Sequence, residues 1–259
     1  MRPLILITND DGVDAKGIRI LVDIARLYAD VVVMAPEANS SGSAHSFTGM
    51  RPIRANTISK SPECSIYSCD GTPVDCIKLA YEYFCPRKPD LVLSGINHGS
   101  NSSINILYSG TMGAVVEASV SGLNAIGFSL LDHNADADFT AAVPYIRDII
   151  ADVLANGLPN EVSLNVNIPC PSNGILKGVR VCRQSRARWM DSYEKRVDPH
   201  GKEYYWLTGR FECDDCGPDT DQWALENGYV SIVPTTPDYT DFRSLDIIAR
   251  RFGSNISAS

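Results

Sequence analysis

An apolar run, "LILIT" at residues 4–8, breaks off into Asn9, Asp10, Asp11 and Gly12. Adjacent carboxylates at a strand end have two uses. Asp-Gly favours a tight turn, and Asn and Asp side chains bond readily to nearby backbone groups, so the segment can be read as turn chemistry alone. Two carboxylates held side by side also suit a hard divalent cation, which takes oxygen ligands. What decides between the two is what else the chain brings to the same place.

Other buried-strand patterns also end in polar residues. The run "VVVMAP" (31–36) leads into "EANSSGSAHSFTG", rich in hydroxyls and glycine. The run "DLVLSGIN" (90–97) continues as "HGSN", offering Asn97, His98 and Asn101, and "YSGT" opens a helical stretch of small residues at 109–122. In open parallel sheets, ligands bind beyond the carboxyl ends of the strands, near the point where strand order reverses. Carboxylates, serine hydroxyls and asparagine amides together form an oxygen set suited to Mg2+ or Mn2+ rather than zinc. Ser109, Gly110 and Thr111 at a helix start offer N–H groups, hydroxyls and the positive end of a helix dipole to a phosphate. A cation facing a phosphate cradle points to hydrolytic phosphoryl transfer.

The elements that must position these residues alternate in type. Helical spacing in "KGIRILVDIARLYA" (16–29) separates two buried strands, which makes a βαβ unit with parallel strands. "SIYSCD" predicts another strand, and Thr72 as N-cap with Pro73 at the first helical position opens the helix "PVDCIKLAYEYF". A strand at "AIGFSLL", a helix over 139–155 and strands at "VSLNVNIP" and "GVRVCRQ" continue the pattern. The expectation is one α/β domain over 1–259, a mostly parallel sheet covered by helices on both faces. From about 184 to 211, aromatic and charged arms flank a Pro-His-Gly-Lys turn, which predicts a protruding β-hairpin. A last strand and helix fall within 228–252.

Composition narrows the function classes. The chain has 259 residues, 44% hydrophobic and 21% charged, as expected of a globular protein with one large core. No apolar run approaches the ~18 residues of a membrane span, so no membrane partner is expected. Nor does a signal-peptide pattern precede the first strand, so the expected location is cytoplasmic. A net charge of −8 argues against a basic face for nucleic acid, and an anionic ligand needs a local cation or helix N-terminus. The eight cysteines are expected to be thiols. Cys213 and Cys216 form the one Cys-x-x-Cys; zinc there would need two more ligands, His200 and Cys182 being nearest, and a surface turn is the simpler reading.

The stretches "TNDDG", "APEANSSGSAHS", "GTPVDCIKLAY", "LVLSGINHGSN", "YSGTMGAVVEA", "LNVNIP", "RQSR" and "GYVSIVP" resemble, in order and over nearly the whole chain, the SurE family, the survival-protein E type of nucleotidase. The resemblance implies a Rossmann-like three-layer core in a homodimer or homotetramer. It implies a metal-dependent phosphatase acting on nucleoside monophosphates, a 5'-nucleotidase with 3'-nucleotide and polyphosphate activity as extensions. Carried over by motif, one Mg2+ or Mn2+ per subunit would be held by Asp10, Asp11, Ser41 and Asn97. Ser109, Gly110 and Thr111 would cradle the phosphate. His98, the Ser-Ser of "GSNSSIN" and the Cys-rich "CDDCGPDTD" depart from the usual family pattern and bear on substrate preference.

Several residues keep two readings. Asn9 either touches substrate or clasps the turn backbone. His45 either protonates the leaving oxygen, since histidine titrates near neutrality, or orders the Ser41 loop. Glu117 reads as a packing or supporting carboxylate, and His133 and His200 as solvated loop residues. Arg183, Arg186 and Arg188 either line an anionic entrance or form a solvated hairpin face. Two other classes fit less well. A signalling receiver needs an Asp where Pro36 or Ser94 stands, and a dinucleotide-binding oxidoreductase needs the G-x-G-x-x-G that "TNDDGVDAKG" lacks.

Overall fold

The computed structural model describes residues 2–171 and 174–253. In chain order come β1 (Leu4–Thr8), α1 (Lys16–Ala25), β2 (Asp30–Pro36), β3 (Ala55–Lys60), β4 (Cys64–Cys69) and α2 (Pro73–Leu79). Next are β5 (Leu91–His98), α3 (Gly110–Val120), β6 (Ala125–Leu130), α4 (Val143–Asn156) and β7 (Ser163–Ile168). The last are β8 (Val179–Val181), β9 (Ala187–Val197), β10 (Glu203–Cys213), α5 (Asp221–Glu226), β11 (Val230–Thr235) and α6 (Leu245–Arg251).

Nine strands form one sheet in the order β3-β4-β2-β1-β5-β6-β7-β11-β8. The six central strands β4 to β7 pair in parallel, while β3 joins β4, and β11 joins β7, antiparallel. Period-two alternation along β1 sends Ile5 and Ile7 to one face, where they share a core with Ile18 and Leu21 of α1 and Ile146 and Ile150 of α4. Leu4 and Leu6 face the other way, into a core with Ile77 of α2 and Met112 and Val115 of α3. The result is the expected three-layer α/β sandwich with helices on both faces.

Local signals explain the helix starts. Thr72 caps α2 by accepting from the Asp75 N–H, Asp75 answers on the Thr72 N–H, and Pro73 fills the first turn. Asp75 is buried and also accepts from the Thr48 N–H at 2.9 Å. Burial works to raise its pKa, but the bonds from Thr48 and Thr72 outweigh it and hold the carboxyl below its ordinary value.

The structure adds β3, α5 and a 3-10 helix at Ser103–Tyr108 to the elements expected, and alters the end of α2. β3 is an edge strand of polar sequence, "ANTISK", whose exposed face carries no apolar alternation to betray it. α5 is six residues long and set by its Thr220 cap. The α2 helix loosens into a π-helical turn at Ala80–Phe84 rather than continuing as α-helix.

The hairpin spans 187–213 rather than 184–211, with β9 and β10 paired antiparallel from Ala187–Cys213 to Val197–Glu203. It forms a sheet of its own and is exposed along most of its length. Its tie to the core includes the Trp189 indole N–H, which donates to Asn105 Oδ1 at 2.9 Å. At its base, Cys213 and Cys216 are joined as a disulfide, which corrects the expectation of thiols there and removes the zinc reading. The six other cysteines are free.

One close approach seats the site. The β5–β6 register shifts between Ser94 and Asn97, a bulge that redirects the strand end. Gly17 of α1 lies on this bulge so closely that a Cβ there would stand 2.1 Å from the Ile96 carbonyl oxygen. Because the neighbour is backbone, neither side can give way cheaply. Gly17→Ala is expected to cost about 2–3 kcal/mol, the upper part of the overpacking range. A urea midpoint within error of the wild type would contradict this packing.

Candidate active site at the switch point

Chain connectivity runs from β1 to β2 on one side, and β5 is inserted on the other side of β1. The crevice beyond β1 and β5 is therefore the topological switch point. Thr8 pairs with Ser94, so Asp10–Asp11 and Asn97–His98 leave the sheet as neighbours. The His98 backbone N–H donates to Asp11 Oδ2 at 3.3 Å.

Asp10 is 3% exposed. The Thr111 hydroxyl donates to its Oδ1 at 2.5 Å, and the main-chain N–H groups of Gly110 and Thr111 are directed at the same carboxylate. The carboxylate thus sits on the N-terminus of α3, where the dipole and unpaired donors favour an anion. Burial nevertheless dominates and raises the Asp10 pKa. Asp11 is half-buried; its pKa is raised by burial and then by the Asp10 charge, against the opposing pull of His98.

The loop after β2 lies flat on α3. Ser40 N–H donates to the Asp10 carbonyl at 2.7 Å, and Ala44 N–H to that of Tyr108 at 3.2 Å. Small residues on α3 permit this. A Cβ at Gly110 would stand 2.6 Å from Ser43 Oγ and 2.8 Å from Asp10 Cβ, and one at Gly113 would stand 2.3 Å from the Ala44 carbonyl oxygen. Ser41 is exposed on the crest of this loop, its N–H donating to Asn39 Oδ1 at 2.7 Å.

The remaining candidates divide. Asn9 Nδ2 clasps the Gly12 carbonyl at 2.9 Å, the turn role, while its Oδ1 is buried without a partner. Asn97 Nδ2 donates to the Gly99 carbonyl at 2.8 Å. Ser109 is the N-cap of α3, accepting from Met112 N–H at 3.0 Å, with its own hydroxyl hydrogen still to donate. Thr111, expected against phosphate, spends its hydroxyl on Asp10 instead. Asn101 turns inward to Ser129, Asn165 and Asn167, an anchor rather than a site residue. Arg183 is tied to Asp215 and Asp219, and Arg188 pairs with Asp214, so neither lies open as an anion entrance. His200 in the hairpin turn and His133 in the loop after β6 are both exposed, as expected, and the His133 ring lies over Gly99.

Two contacts were not legible from the sequence. Glu117, 7% exposed, accepts from Lys78 Nζ at 2.5 Å and lies 3.2 Å from His45 Nε2. Lys78 sits on α2, and nothing in "CIKLAY" marks it as a partner of a residue 39 positions later.

The donor set fits a hard divalent cation. Two carboxylates with raised pKa values lie together, no lysine or arginine bridges to either among the described residues, and Asn9 Oδ1 beside them is orphaned. Among the described residues no cluster of three or more His, Cys, Asp or Glu suited to a metal occurs, so the oxygens of Ser and Asn side chains would have to complete any set built on Asp10 and Asp11.

Fold and site together define a doubly wound α/β protein with an acidic, oxygen-lined crevice facing a helix N-terminus. The model of the family described as survival protein SurE matches residues 5–191. The chain belongs to that family. Among its relatives, the 5'-nucleotidase SurE of Flavobacterium psychrophilum is 50% identical over 95% of this chain and 96% of its own. That of Christiangramia forsetii is 52% identical over 92% and 93%. The crystal structure of the SurE protein from Aquifex aeolicus superposes with a TM-score of 0.83 at 36% identity, covering 96% of this chain and all of that one.

The charge arrangement has a measurable consequence. Folded-state pKa values above the ordinary 3.8 mean the native protein binds more protons than the unfolded chain. Stability of the metal-free protein therefore falls as pH rises through the folded values, and is recovered as pH drops towards 3.8. Asp10→Asn, which removes the buried charge, is expected to raise Tm in EDTA at pH 7. The gain should shrink as pH is lowered towards 4. A variant that melts earlier than wild type at pH 7 would contradict this account.

Proposed function

We propose that the protein is a divalent-metal-dependent phosphomonoesterase that hydrolyses nucleoside 5'-monophosphates to nucleoside and phosphate, and also accepts 3'-nucleotides and short polyphosphates. The observation that carries this reading is the uncompensated Asp10–Asp11 pair at the switch point, facing the N-terminus of α3. The naming of the relatives as 5'-nucleotidases supports it.

Asp10, Asp11, Ser41 and Asn97 would hold Mg2+ or Mn2+, a set of oxygens on three separate loops. The bound ion would supply Lewis-acid polarisation of a phosphoryl oxygen and a lowered pKa for water. Thr111 and the Gly110 and Thr111 N–H groups fix the Asp10 carboxylate in one orientation. Ser109 offers its hydroxyl hydrogen to a phosphoryl oxygen while it caps the helix. Gly110 keeps the approach open, since any side chain there would occupy the space between Ser43 and Asp10. Asn9 shapes the turn that carries Asp10 and Asp11, its Nδ2 donating to the Gly12 carbonyl at 2.9 Å.

Phosphate release from a panel of nucleoside 5'- and 3'-monophosphates, with Mg2+, with Mn2+ and after EDTA, tests the reading. Turnover that survives chelation would refute it. Thr111→Val removes the donor to Asp10 and is expected to weaken metal binding ~10–100-fold, the usual consequence of losing a partner of a ligand. Isothermal titration with Mn2+ reads this without turnover.

The proposed assembly is a homodimer or homotetramer acting in the cytoplasm; among the described residues no helix is long and apolar enough to cross a membrane. Trp189, Tyr193, Tyr205, Trp206 and Leu207 stand exposed on a two-stranded ribbon that cannot bury them itself. Aromatic residues of this kind are enriched at the cores of interfaces. Shortening the hairpin at the Met190–Arg210 pair to a Gly-rich turn is expected to lower the mass by light scattering. An unchanged mass would remove the hairpin from the interface.

A further inference from the structure

A cavity of about 480 Å³ adjoins the candidate phosphate loop, and Ser109 belongs to both. Its wall is largely apolar, with Ile106, Met112, Val116 and Tyr239, and it carries His45 beside Ser109. A phosphate ester bound at Ser109 with its organic part in this cavity has its bridging oxygen at the boundary between the two. His45 stands at that boundary.

The ring of His45 is held from behind. Its Nε2 lies 3.2 Å from Glu117 Oε2, and the other Glu117 oxygen takes Lys78 Nζ at 2.5 Å. A carboxylate only accepts, so Nε2 carries a hydrogen and Nδ1 is the nitrogen left to serve a ligand. The backbone is fixed as well. Gly113 lets the loop press onto α3, with the His45 Cα only 3.1 Å from where a Cβ would be, and Glu117 lies one helical turn further on. A histidine that merely ordered a loop would not need a buried carboxylate, itself paired with a lysine from a third element. The side chain of His45 is 41% exposed, so it can exchange protons with solvent.

We propose that His45 is the proton donor to the leaving alcohol, and that Glu117 and Lys78 are the positioning residues that hold it at the mouth of a cavity receiving the nucleoside. This rests on the phosphomonoesterase reading above. As water oxygen forms its bond to phosphorus, the bond to the ester oxygen breaks and its electron pair stays on that oxygen. The oxygen takes the proton from Nδ1 of the imidazolium and leaves as the neutral hydroxyl of the nucleoside. The attacking water gives up one proton to solvent, and His45 recovers one from solvent, so the balance closes as ester plus water to alcohol plus phosphate.

The test compares leaving groups. A ribose alkoxide needs a proton to depart, whereas p-nitrophenolate departs readily without one. Metal-loaded wild type is assayed with adenosine 5'-monophosphate and with p-nitrophenyl phosphate, then His45→Ala and Glu117→Gln with both. The ratio of kcat for the nucleotide to kcat for the aryl ester is expected to fall ~10²-fold for His45→Ala, within the range of general-acid effects, and in the same direction for Glu117→Gln. A parallel loss on both substrates would mean that His45 orders the loop, and no loss would mean it does neither; either overturns the proposal. Wild type inactive on both esters would instead refute the phosphomonoesterase reading itself. Nitrogen-15 NMR of the histidine ring, without substrate or metal, is the second arm. The Nε2–H tautomer is expected for His45, and to lose its dominance in Glu117→Ala; an Nδ1–H tautomer in wild type overturns the assignment.

Discussion

A carboxylate taken out of water must find other groups to solvate it, and Asp10 is the point where this chain accepts that constraint. Its solvation comes from the first turn of α3, through the Thr111 hydroxyl and the N–H groups of Gly110 and Thr111. These do not fully offset burial, as the raised pKa values of Asp10 and Asp11 attest. The remainder is a local deficit of positive charge. A crevice built this way attracts a cation because its own atoms leave it incomplete, and the strand, helix and loop around it can be understood as what holds it so.

The loop from 37 to 54 shows how much structure is spent on that end. It is fastened to the Asp10 carbonyl through Ser40, to Tyr108 through Ala44, to Thr72 through Ser46 and to Asp75 through Thr48. Those partners lie on β1's exit, on the approach to α3 and on the start of α2. A loop bonded to three elements at four places presents Ser41 and His45 from a fixed base. The Thr48 bond, with those from Thr72, holds the Asp75 pKa down, so one carboxylate serves both the N-cap of α2 and the anchoring of this loop.

Much of this was legible in the sequence because it is encoded locally. The burial of "LILIT" and "VVVMAP", the Thr72–Pro73 cap and the polar endings of successive strands each follow from a few adjacent residues. β3 was not, because "ANTISK" lies at an edge with its side chains in water and has no hydrophobic face to alternate. Pairings across the chain were equally hidden. Thr111 meets Asp10 over 101 residues and Lys78 meets Glu117 over 39, and only the fold brings them together. The hydroxyl of Thr111 was expected on a phosphate because the sequence shows a helix start but not the anion already resting on it. Cys213 and Cys216, taken for thiols from the size of the chain, lie where the base of β10 turns back and joins them.

The glycines of α3 that let the loop lie flat have a further consequence for how the crevice comes into being. Gly113 weakens an isolated helix by about 1 kcal/mol relative to alanine, and Thr111, Val115, Val116 and Val120 add β-branched reluctance. Beyond its Ser109 cap, helix α3 has little local reason to form; its hydrogen bonds persist because Met112, Val115 and Ala118 are locked into the core beneath the sheet. Its stability therefore comes from tertiary packing rather than from its own propensity. Until that core closes, the chain holds every residue of the crevice and none of its geometry.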